Sequence, residues 1–105
     1  MNFRVLQSVD AALDRVVTLL DSARPGTGFR LYAEFLAALD TIRANPSFFP
    51  MVEDAPDTAA CYREALLLRA TYRVVYQIRD TEIVVVALRH THRRPGSWHG
   101  TTTDD

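Results

Sequence analysis

"TYRVVYQIRDTEIVVVALRH", residues 71–90, is the stretch on which the fold of this chain turns. It is rich in β-branched and aromatic residues and is broken once, at Asp80 and Thr81, so it reads as two antiparallel strands joined by a two-residue turn. That pairing puts Tyr72, Val74, Tyr76, Ile78, Ile83, Val85 and Ala87 on one face. The other face carries Arg73, Val75, Gln77, Arg79, Glu82, Val84, Val86, Leu88 and His90. The first face is apolar enough to receive a helical layer. The second, half apolar and half charged, has the composition of a face that a partner covers. A register slip of one residue exchanges the two faces.

Working back towards the N-terminus, "CYREALLLRA" (61–70) reads as a third strand of the same meander. Before it, "PSFFPMVEDAPDT" (46–58) reads as an irregular acidic loop anchored by Phe48 and Phe49. Phe29 to Ala44 has Leu31, Tyr32, Phe35, Leu36, Leu39 and Ile42 at helical spacing, with Thr27 as its cap and Asn45-Pro46 as its stop. "RPGTG" separates it from an earlier helix, Val9 to Ala23, whose apolar side is Val9, Ala12, Leu13, Val16, Leu19, Leu20 and Ala23. Ser8 or Asp10 is the expected cap there. Helices joined so closely form an antiparallel hairpin. "NFRVLQ" at the start alternates as a short strand does, with Phe3 and Val5 inward and Leu6 as a further inward candidate. The expectation is an α+β domain of order β-α-α-β-β-β over residues 1–99, followed by a disordered tail at 100–105.

The 105 residues are 48% hydrophobic, enough for one core, and the formal net charge is −1. No global charge pulls the chain towards nucleic acid or membrane. One cysteine, Cys61, excludes an intrachain disulfide, and the only thiol reads as strand packing rather than as a nucleophile. A cytoplasmic setting fits, and no apolar run is long enough to span a bilayer. All twelve basic residues are Arg, and they concentrate in the second half: five Arg against eight acids in 1–58, seven against five in 59–105.

The strings "GFRLYAEFLAALDTIRANPSFFP" and "LLLRATYRVVYQIRDTEIVVVALRHTHRRPGSW", with a His…Arg-Arg-x-Pro…Trp ending, resemble the RelE/ParE family of bacterial toxins, sometimes named plasmid stabilisation proteins. The resemblance covers nearly the whole chain and rests on the order and spacing of its parts. The chain departs from the family's pattern at Ala70-Thr71, where Phe-Pro is common, and at Leu19-Leu20, where an aromatic pair is common.

What the resemblance implies is the toxin of a type II toxin–antitoxin module that inhibits bacterial growth and is neutralised by a cognate antitoxin. Two mechanisms come with it. A ParE-like toxin inhibits DNA gyrase without being an enzyme, and the absence of Lys and of a clear carboxylate beyond Glu53 leans that way. A RelE-like toxin is a ribosome-dependent, metal-independent endoribonuclease acting on mRNA, for which Arg73, His90 and His92 are the catalytic candidates. An inactive homologue that keeps only antitoxin binding is the third reading. A homodimer or a toxin–antitoxin hetero-oligomer is the assembly implied.

The chemistry supports each candidate on its own terms. Imidazoles titrate near neutral pH and can move the protons of a 2′-hydroxyl cleavage, and guanidinium groups clamp phosphate. Arg73, Arg79, Val86 and Arg89 are the expected antitoxin contacts, as a polar-and-apolar strand face binding an extended segment. A metal is not expected: His90, His92 and His99 stand beside Arg93 and Arg94, which repel a cation. No cofactor is expected either.

Overall fold

The structure, a computed structural model, describes residues 2–52 and 61–91. Glu53, His92, Trp98, His99 and the 100–105 tail lie outside the described residues. Strand β1 spans Asn2–Val5, helix α1 Gln7–Ala23, helix α2 Thr27–Ala44, and strands β2, β3 and β4 span Cys61–Leu67, Tyr72–Ile78 and Glu82–His90. The expected β-α-α-β-β-β order is the one found. The four strands form one sheet in the order β1-β4-β3-β2, with β1 parallel to β4 and the meander antiparallel.

Both helices begin without the expected caps. Neither Ser8 nor Asp10 caps α1; the N-cap position is Leu6, with no side-chain bond. Leu6 is buried and its N–H donates to Val85 O at 3.1 Å, so the sheet fixes the entry to α1. Thr27 is inside α2, whose N-cap is Gly26 at φ 94°, a left-handed conformation that suits glycine. Its free donors are met from α1: Asp21 Oδ1 accepts from Gly26 N at 3.1 Å and from Gly28 N at 2.7 Å. The helices approach so closely here that a Cβ on Gly28 would lie 2.3 Å from Val17 O.

The helices pack on the sheet face that carries Phe3, Val5, Arg63, Ala65, Leu67, Val74, Tyr76, Ile83 and Val85. Several bonds fix this side. Tyr76 donates its hydroxyl to Pro46 O at 2.6 Å, just beyond α2, and Glu34 of α2 accepts from Leu68 N at 2.8 Å. The Arg43 guanidinium lies 4.5 Å from the Phe3 ring centre. Leu31, Phe35, Leu39 and Ile42 fill the core from α2, and Val9 and Leu13 from α1. Four expected apolar positions turn outward instead: Leu19 and Ala23 are exposed, and Tyr32 and Leu36 are 44% and 42% exposed. Of the two loop phenylalanines only Phe49 anchors, packing its ring against Tyr76; Phe48 is 63% exposed. The loop is held to the edge of β2 by Val52 N to Tyr62 O, Glu64 N to Pro50 O, and Arg63 Nη1 to Phe49 O at 2.6 Å.

The Asp80-Thr81 turn is found as expected, closed by Arg79 N donating to Glu82 O at 2.8 Å, with Ile78 opposite Ile83 and Tyr76 opposite Val85. Beyond that point the register shifts. Val75 pairs with Ala87, so Val86 is an extra residue in β4, a β-bulge. The bulge exchanges the faces of everything after it. Ala87 moves off the helix-facing side, and Leu88 and His90 move onto it, the reverse of the regular-ladder expectation.

Candidate functional site

The face turned away from the helices is the candidate site. Alternation along each strand places Arg4, Tyr62, Glu64, Leu66, Arg73, Val75, Gln77, Glu82, Val84, Ala87 and Arg89 on it. Its apolar members differ from the exposed surface expected of a half-apolar strand face. Val75, Val84 and Ala87 are buried, and Leu66 is the large apolar side chain left exposed.

Arg73 and Arg89 are direct partners in the β3–β4 ladder. Like charges directly opposite each other repel, and Glu64, on the neighbouring strand, relieves this pair: Arg73 Nη1 donates to both of its carboxylate oxygens at 3.1 Å. Arg73 Nε is buried and has no hydrogen-bond partner among the described residues. Arg89 is 6% exposed, the one charged side chain among the buried described residues. The pair sets two guanidinium groups side by side against one carboxylate, and guanidinium is the group that holds carboxylate or phosphate in a fork; Arg73 is the more accessible of the two.

At the other end of the same face a second network runs across three strands. Arg4 donates to Glu82 through Nε and Nη2, at 3.4 and 3.2 Å, Arg79 Nη1 reaches the same carboxylate at 3.2 Å, and Arg79 Nε bonds Gln77 Oε1 at 2.8 Å. The hydrogen bond from Arg4 is the main reason that Glu82 titrates below its ordinary value of 4.5; partial burial opposes it, and Arg79 adds to it.

The sequence candidates are therefore divided. Arg73 and Arg89 meet on the open face, and Arg79 lies on it two residues beyond Gln77. His90 does not join them. It pairs with Tyr72, and the two rings meet edge to face at 5.2 Å on the opposite side of the sheet. Val86, the bulge residue, is 0% exposed. Glu64 and Glu82 were missed in the sequence, although their diagonal placement, two residues from the positions opposite Arg73 and Arg4, becomes visible once β2 and β1 are in register. Among the described residues no group of three or more His, Cys, Asp or Glu is placed to hold a metal, and no helix is long and apolar enough to cross a membrane.

No protein-family model matches the chain, and no curated protein matches it. Among solved structures it is similar to an archaeal RelE–RelB complex from Pyrococcus horikoshii OT3. The identity is 20% and the TM-score 0.44, over 89% of this chain and 97% of that one.

Proposed function

We propose that this chain is the toxin of a type II toxin–antitoxin module, that a cognate antitoxin binds the open sheet face, and that the toxin acts on a protein target, DNA gyrase, without cleaving RNA. The sequence strings that resemble the RelE/ParE family support the first part, in an element order that agrees with them. The observation that carries the antitoxin-binding part is the Arg73–Arg89 pair, on a face that neither helix covers. Acidic side chains of an extended antitoxin segment would meet Arg73 and Arg79, with the buried Arg89 adding its charge from within the sheet, and an apolar one would lie on Leu66 beside Glu64. Val86 contributes from beneath, by setting the bulge that places Arg89.

The separation of His90 from Arg73 favours the non-nucleolytic reading. A base and a phosphate clamp must reach the same ribose and phosphate, and these two side chains leave the sheet on opposite sides. The ribonuclease reading has its own support in the same arginine pair, which fits a phosphodiester, with His92 as its remaining imidazole.

Production of the protein alone in bacteria tests the choice. Gyrase inhibition gives an SOS response, filaments and altered supercoiling. Codon-phased mRNA cuts that vanish in the Arg73→Ala, His90→Ala, His92→Ala triple variant would overturn the non-nucleolytic reading. For the antitoxin, hydrogen exchange of the complex should protect residues 72–92; a meander left unprotected sinks the docking assignment.

A further inference from the structure

The outer side of α2 carries an apolar stripe that neither the core nor the sheet uses. Phe29, Tyr32 and Leu36 are 71%, 44% and 42% exposed, and the stripe continues into Asp40 and Arg43, both exposed. At 100° per residue these positions fall within an arc of about 80° on the helix.

The order of chemistry along the stripe is what identifies an occupant. Leu36 stands at its centre, Tyr32 and Asp40 lie four residues to either side, and Phe29 and Arg43 seven residues to either side. We propose that this stripe is the contact through which two copies of the chain associate, with the two α2 helices antiparallel and the two-fold axis passing at Leu36. In that arrangement Leu36 packs on Leu36 of the second copy. The Tyr32 hydroxyl donates to the opposite Asp40 carboxylate, and the Phe29 ring lies against the opposite Arg43 guanidinium.

Each half of the stripe supplies what the other half needs, twice over. Arg43 is already ordered by its contact with Phe3 at 4.5 Å, so little freedom remains for it to lose on association. A lipid surface fits less well, because the acidic Asp40 sits inside the stripe rather than a basic rim around it. The surface is small and lies at the weak end of protein interfaces, below about 1,200 Å² in total. The dimer therefore forms at raised concentration. It leaves the open sheet face free and does not depend on the toxin role.

Sedimentation of the full chain over a concentration series reads this directly. The wild type should pass from monomer to dimer, and Leu36→Asp, which sets two carboxylates together at the axis, should weaken the dimer by at least about tenfold. Circular dichroism checks that the fold is kept, as expected for a half-exposed position. In a Cys61→Ser background, Leu36→Cys should cross-link to itself under mild oxidation far faster than Ala11→Cys on the exposed side of α1. A chain that stays monomeric at the highest attainable concentration, a dimer indifferent to Leu36→Asp, or equal cross-linking of the two cysteine variants each overturns the proposal, the first leaving the stripe to a different protein.

Discussion

Replacing Ala70 by glycine should stabilise the protein. The turn from β2 to β3 runs through Leu68, Arg69 and Ala70 at φ 48°, 53° and 67°, three successive residues in the left-handed region. For a residue with a Cβ this conformation costs about 1–2 kcal/mol. Glycine adopts it freely, but loses about 0.5–1 kcal/mol more than alanine in ordering. Ala70 is exposed, so its methyl group gives up no packing when removed. The balance is a gain of roughly 0.5–1 kcal/mol, or about 2–6 °C in Tm for a domain of this size.

The turn is held from outside, by Glu34 accepting the Leu68 N–H at 2.8 Å and by Thr91 N donating to Thr71 O at 2.9 Å. Glycine therefore relieves strain without releasing the turn. Leu68→Gly is the control: its φ is equally unfavourable, but its side chain packs against the core, and the lost burial should lower Tm. Thermal unfolding followed by far-UV circular dichroism measures both. A Tm for Ala70→Gly that is equal to or below that of the wild type would refute the strain argument.

Gly28→Ala should destabilise strongly, by about 2–4 kcal/mol, because its new methyl group would meet Val17 O and the Asp21 carboxylate; the shift in urea midpoint reports it. Tyr76→Phe should cost about 1–2 kcal/mol through the unpaired Pro46 carbonyl. Burial holds the Tyr76 hydroxyl above its ordinary value of 10.0, against the pull of Arg63 and of a Phe49 backbone hydrogen bond. Its contribution is thus complete below pH 10 and is lost as pH rises through the folded value, so the phenylalanine variant should show a shallower alkaline loss of stability. Glu82 works at the other end. Its lowered folded value makes its contribution complete above pH 4.5 and lost as pH falls through the folded value, and Glu82→Gln should flatten that acid limb in pH-dependent unfolding.

Much of the architecture was legible in residues 71–90, because a β-rich run with one polar break leaves few ways to pair, and the Asp80-Thr81 turn fixed the register beside it. The bulge at Val86 was not. Val84, Val85 and Val86 are alike in type, and nothing in a run of valines marks which one is left unpaired. That single ambiguity moved His90 to the far side of the sheet from Arg73 and separated a pair that a regular ladder puts together. The helix starts were missed for a different reason: Leu6 is fixed by Val85 across the sheet and Gly26 by Asp21 from the preceding helix, and neither partner is the side chain at the N-cap position that a capping signal records. Periodicity gave the cores of both helices correctly, but it does not distinguish Tyr32 and Leu36 from Leu31 and Phe35 until the position of α1 is known.

The position of β4 in the sheet has a consequence for how the chain is made. Asn2 pairs with Glu82 and Val5 with Val85, so β1 leaves the ribosome well before the strand it pairs with and finds that neighbour only after β4 has been synthesised. β4 is also the strand on which β3 must close. Until then a nascent chain can form its helical hairpin and the β2–β3 pair, but not the sheet centre that β4 supplies, and contacts this distant along the chain slow the final closure. During translation the apolar sides of both helices stand open to any binder within reach, a window in which a protein partner produced nearby would meet the chain before it is finished.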